Sequence, residues 1–195
     1  GPVMDQCVGS TDAEVYRSQC RWAGRAESAA GLAEFSGLKL KALESMLAGG
    51  RVMAYAGAVR LFFEARSLAR TVVCACATGR EVEMVLKAAG LERLAESIMN
   101  SDDVPTGEQR LMRYVRAVRR MGLRSRECVA VVDTVKGITA ARAAGLAVVG
   151  VGHSTRVSRL RDADLLAGSC ERLNLEDVLA VERLGPCAST RSRAG

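Results

Sequence analysis

The stretch that most limits what this chain can fold into runs from Cys128 to Gly152, CVAVVDTVKGITAARAAGLAVVGVG. Val129 to Val132 is a short, mostly β-branched apolar run without turn residues, which predicts a buried strand. Asp133 and Thr134 fall at its end. Gly137 opens an amphipathic segment that Ala140 to Ala144 continue, Gly145 has the place of a helix-ending glycine, and Leu146 to Val151 is a second apolar run. A strand, helix and strand of this size close right-handed and leave the two strands parallel. Chemistry in such sheets gathers at the carboxyl ends of the strands, so Asp133 stands where a site is expected.

The same alternation extends upstream. Thr71 to Ala77, TVVCACA, predicts another buried strand, and Thr78-Gly79 starts a helix that Gly90 stops. Thr78 is a good N-cap, and the free N–H groups of that first turn can hold an anion; capping alone explains it equally well. A short strand within Leu94 to Met99 and a polar loop follow. Gly107 to Met121 then predicts a helix carrying arginines at 110, 113, 116, 119 and 120, read as a solvated face or as a docking face for an acidic partner. Asp133 itself reads as the cap of its helix, or as a metal ligand. Beyond the opening stretch come a loop, a short apolar run at Asp164 to Ala167, and a helix near Leu175 to Val181. Strands alternating with helices in this way specify an α/β domain with a parallel sheet.

Thr11 to Gly50 is helical in pattern. Its first helix places Val15, Cys20, Trp22 and Ala23 inward, its second Leu38, Leu40, Leu43, Met46 and Leu47. A third helix opens at Gly57 and turns Val59, Leu61, Phe62 and Phe63 toward a core. Residues 1–10 read as a cleavage scar (Gly1-Pro2) and a short segment that is a brief strand or nothing ordered. Residues 184–195 read as a disordered tail.

No run approaches the roughly 18–20 apolar residues of a membrane span, and no basic-then-apolar leader is visible, so a cytoplasmic protein without membrane partners is expected. Seven cysteines, an odd number without a CxxC pair, accompany a single histidine, His153. They read as reduced thiols packed as small hydrophobes rather than as zinc ligands. Net charge is +6, almost wholly arginine, yet only 4% of residues are aromatic. Without stacking side chains among the basic ones, nucleic-acid binding is not expected.

From about Leu38 to Val181 the chain resembles the haloacid dehalogenase (HAD) superfamily, in its phosphatase and β-phosphoglucomutase branch. VAVVDTVKGITAARAAGLAVVGVG is similar to that branch's fourth motif, and TVVCACATGREVEMVLKAAGL to its second-motif strand and helix. SDDVPTGEQRLMRYVRAVRRMGLRSRECVAVVD keeps the framing of the third and fourth motifs. The resemblance implies a Rossmann-like parallel sheet at 51–183 and a helical cap, here reduced to 11–50. It also implies phosphoryl transfer through an aspartate with magnesium. Four parts are needed: a nucleophilic Asp with a second Asp two residues on, a Ser or Thr at the second strand's tip, a Lys, and an acidic metal ligand.

The residues at those places depart from the pattern. The nucleophile falls on Asp5, in Asp5-Gln6-Cys7, without the second acid. The Ser/Thr place falls on Cys76, with Thr78 two residues later. The lysine place falls on Glu108, and of the acidic pair only Asp133 remains. Lys136 is the one substitute cation nearby. A phosphate dianion meeting Glu108 instead of lysine meets repulsion. The expectation is therefore a catalytically silent accessory subunit that stabilises a partner enzyme, in the setting of a bacterial biosynthetic complex. One alternative is a magnesium-dependent phosphatase or phosphomutase acting on a small phosphate ester through Asp5, Asp133 and Lys136, with Asp133 as metal ligand. Another is a module binding an anionic metabolite at Cys76, Thr78, Gly79 and Arg80. The family's first strand lies between those of motifs two and four, so residues 3–8 or a second chain must fill that place. A protein partner, of another kind or a second copy, is expected.

Overall fold

The computed structural model describes residues 7–93, 95–104 and 110–183. Seven α-helices and five strands alternate within them: α1 (Asp12–Trp22), α2 (Ala29–Ala48), α3 (Ala56–Ala65), β1 (Val72–Cys74), α4 (Gly79–Ala88) and β2 (Ser97–Met99), then α5 (Leu111–Met121), β3 (Val129–Val132), α6 (Val135–Ala143), β4 (Ala147–Val151), β5 (Leu165–Ala167) and α7 (Leu175–Arg183). All strand pairing is parallel, as the crossover helices require.

The strands form two blocks, β1-β2 and β3-β4-β5. In the first, Val72 pairs Ser97; in the second, Val129 pairs Ala147 and Val149 pairs Leu165. Strand β4 is buried along its whole length, so an unbroken apolar run is what its position demands. On one side of the second block Val118 of α5, Ile138 and Ala141 of α6, and Leu160 close on Cys128, Ala130 and Val148. On the other, Leu61 of α3 and Val178 and Val181 of α7 close on Val149 and Val151. A smaller cluster, Val82, Leu86 and Leu91, covers β1 with help from Val59 and Phe62. Helix α5 touches β1, β2 and α6, and so spans both blocks.

The α/β class, the parallel pairing and the opening unit agree with the sequence reading; β3 spans the expected residues, and Gly145 ends α6 with φ +81°. Several inward assignments do not hold. Trp22 is 84% exposed and Leu38 61%, and α2 has no buried residue at all. Its partners α1 and α4 cover only one side, so the apolar residues opposite face outward. Phe63 is likewise exposed. The arginine face of α5 is not simply solvated, because Arg113 is 5% exposed. Thr134, not Asp133, caps α6: its hydroxyl accepts the Gly137 N–H at 3.0 Å. Of the expected strand at 3–8, Cys7 is helical and Val8 is in a turn, while 3–6 lie outside the described residues, as does the tail from 184.

Candidate functional site

The carboxyl ends of β1 and β3 are joined by residues 9–10. Gly9, at φ +69°, lies so close to the end of β3 that a Cβ there would stand 3.0 Å from Thr134 Oγ1. Its carbonyl accepts the Cys76 thiol at 3.4 Å, beyond the end of β1. Ser10 Oγ meets Lys136 Nζ at 2.5 Å. Cys76 beyond β1 and Asp133 and Lys136 beyond β3 thus lie on either side of residues 9–10. Asp5 and Glu108 lie outside the described residues.

Thr78, Gly79 and Arg80 adjoin Cys76, but their polar groups turn to protein carboxylates. The T-x-x-E of Thr78 to Glu81 forms a capping box: the Thr78 N–H donates to Glu81 Oε2 at 2.9 Å, and the Glu81 N–H donates back to Thr78 Oγ1. The Gly79 N–H donates to Asp102 Oδ2 at 2.8 Å, and Arg80 pairs with Glu44 of α2 at 2.9 Å. Glu81 is 3% exposed and meets Lys39 of α2 at 2.9 Å; Lys39 also holds Asp12 of α1. A further pair, Arg110 with Glu14, fastens α1 to the start of α5. The helical segment 11–50 is therefore tied to the sheet domain by ion pairs at the same end that carries the site.

Arg113 brings a buried cation beside Cys76, its guanidinium donating to Sγ at 3.2 Å while its Nε has no partner. Burial pushes the Cys74 thiol up to about 11 and holds the Tyr114 phenol well above its ordinary value. Asp133 is half-buried, and its Oδ2 accepts the Ser154 hydroxyl from the loop after β4. Gly137 fits where it does for want of a side chain: a Cβ would stand 2.4 Å from Val132 Cγ1. His153 is taken up elsewhere, stacked on Tyr55 at 3.7 Å and accepting the Cys170 N–H through Nε2.

Magnesium takes six oxygen ligands in near-octahedral array, commonly with one or two carboxylates. Among the described residues no three acidic, histidine or cysteine side chains converge, and Asp133 is already engaged by Ser154. Of the described residues Asp133 is the carboxylate placed to hold the ion, with the other positions left to water or substrate oxygens.

Sequence reasoning missed Glu81, Asp102, Lys39, Arg113, Ser10 and Ser154. Two of them had a signal. T-x-x-E before an apolar helix is the mark of a capping box, and Arg113 stands one turn before Ala117 on the buried side of α5.

The sequence model of the family described as haloacid dehalogenase-like hydrolase matches residues 11–145. No curated protein matches the chain. Among solved structures, a hydrolase from Pseudomonas syringae superposes with a TM-score of 0.80 at 19% identity, covering 90% of this chain and 82% of that one. CbbY from Rhodobacter sphaeroides, in complex with phosphate, gives 0.76 at 21% identity, covering 91% and 81%. β-Phosphoglucomutase from Clostridium difficile gives 0.79 at 14% identity, covering 94% and 82%.

Proposed function

The chain belongs to the haloacid dehalogenase-like hydrolase family, and from that premise we propose that it has lost phosphoryl transfer and acts as an accessory subunit that stabilises a partner enzyme. One observation carries the reading. The turn between β1 and α4, where a phosphoryl group would be held, has its donors filled from within: Thr78 by Glu81, Gly79 by Asp102, Arg80 by Glu44. All three acceptors are carboxylates, two of them beside helix N–H groups, so an incoming dianion meets like charge at donors that are already engaged. The same contacts weigh against an anionic metabolite as the ligand of this turn.

The second reading, a magnesium-dependent phosphatase or phosphomutase acting on a small phosphate ester, draws on two facts. Lys136 stands at the joined strand ends, and the fold's neighbours include a β-phosphoglucomutase. One assay separates the readings. The purified chain, given magnesium and a generic aryl phosphate, is expected to hydrolyse it no faster than Asp133→Asn. Magnesium-dependent turnover that Asp133→Asn abolishes would overturn the accessory role. Co-expression with the products of neighbouring genes is expected to yield a stable complex, and omission of this chain to lower the partner's activity.

A further inference from the structure

Helix α2 presents a face that matches itself when reversed. Apart from Ala48 at its end, its exposed positions come as adjacent pairs every four residues: 29–30, 33–34, 37–38, 41–42 and 45–46. That set maps onto itself when the sequence is turned about the point between Gly37 and Leu38. The three central pairs complement one another, whereas the outer pairs, Ala29 with Met46 and Ala30 with Ser45, differ in type. Glu34 exchanges with Lys41, Ala33 with Ala42, and Gly37 with Leu38. Leu38 is 61% exposed, and a Cβ at Gly37 would meet nothing within 4 Å, so the face offers one knob and one hole side by side. Neither Glu34 nor Lys41 makes an ion pair within the described chain.

We propose that this face binds a second copy of the chain, α2 against α2, antiparallel across a two-fold axis at Gly37 and Leu38. Such an axis makes the interface isologous, so each contact occurs twice. Glu34 of each copy meets Lys41 of the other, and Leu38 enters the space over the opposite Gly37. Rows of residues four apart are the ridges that interdigitate in the commonest helix packing, crossing at about 50°. Alanine and glycine on those ridges let the two backbones approach closely. A partner of different sequence would have no cause to match a pattern that is its own reverse. The proposal does not depend on whether the chain catalyses anything.

Sedimentation equilibrium of the full chain over a range of concentrations tests it. The expected mass approaches twice the 20.7 kDa of one chain. Glu34→Lys and Lys41→Glu each turn two attractions into two repulsions, and each is expected to raise the dimer dissociation constant roughly tenfold. The double variant restores opposite charges at both contacts and is expected to recover wild-type association. Gly37→Leu fills the hole and is expected to leave a monomer; at an exposed helical position it does not threaten the fold, which circular dichroism checks. A chain monomeric at all concentrations overturns the proposal. So does a dimer indifferent to Gly37→Leu, or single charge variants that the double variant fails to rescue.

Discussion

Lys39→Met is the perturbation whose cost the structure defines best. The Lys39 ammonium bridges Asp12 at the start of α1 and Glu81 in the first turn of α4, whose side chains are 12% and 3% exposed. Burial works to lower the Lys39 pKa, but the hydrogen bonds and charges of Asp12 and Glu81 outweigh it and raise it. Removing one partner of a fully buried pair costs about 3–5 kcal/mol, because the other charge is stranded. Lys39 is itself 40% exposed, and water around it screens the pair. Glu81 also keeps the Thr78 N–H. A loss of about 2 kcal/mol remains after that discount, a fall in Tm of roughly 4–8 °C for a chain of this length. Methionine keeps much of the lysine stem, so the loss reports the charge more than the packing. Thermal and urea unfolding at pH 7, followed by circular dichroism, are compared for wild type, Lys39→Met, Glu81→Gln and the double variant. The cost of Lys39→Met should shrink by about 1 kcal/mol or more in the Glu81→Gln background. A single-variant loss below about 0.5 kcal/mol, within the ordinary scatter of surface changes, refutes the bridge; so does an equal loss in both backgrounds.

Other substitutions probe packing, charge and pH. Gly57→Ala sets a Cβ 2.3 Å from the Cys170 carbonyl carbon and the Glu171 nitrogen, both backbone, and should cost more than Gly137→Ala, where side chains can give way; overpacking of this kind costs about 1–3 kcal/mol or more, and melting temperatures rank the two. Arg113→Met removes a buried cation whose partners are a thiol and nothing at Nε. It should leave stability unchanged or raise it by about 1 kcal/mol, and a clear loss in urea unfolding would contradict that. Glu171 has its pKa lowered from 4.5 to about 2, chiefly by the Ser169 hydroxyl and then by the Gly57 N–H. Because the folded value is the lower, its contribution is present above the unfolded pKa and is lost as pH falls from about 4.5 toward about 2. Glu171→Gln should therefore flatten the dependence of Tm on pH across that window.

The sequence shows the opening unit well because three signals coincide there. An apolar run too short for a helix, a helical period ended by Gly145, and a second apolar run admit one arrangement. It shows α2 poorly because apolar content does not by itself imply burial. Leu38 and Met46 belong to a helix with partners on one side only, and no local pattern says how many sides will be covered. The site divides in the same way. Asp133 and Cys76 were legible because strand ends are legible. Asp102 and Lys39 were not, because they reach Gly79 and Glu81 only through the packing of distant segments.

The closure of the site and the fastening of α2 are one set of bonds. Glu81 holds the Thr78 N–H with the carboxylate that also receives Lys39, and Arg80 spends its charge on Glu44 of the same helix. A phosphate dianion entering the turn before α4 would have to displace Glu81, and Glu81 cannot leave without abandoning Lys39 and loosening α2. Asp102 must leave Gly79 as well, and both carboxylates would then remain close to the ligand that replaced them. These costs arise whatever Asp5 does, so the accessory reading does not rest on the missing second acid of the first motif. Helix α2 then has two unlike faces. Its inner face, through Lys39 and Glu44, is bonded to the first turn of α4; its outer face carries Glu34, Leu38 and Lys41.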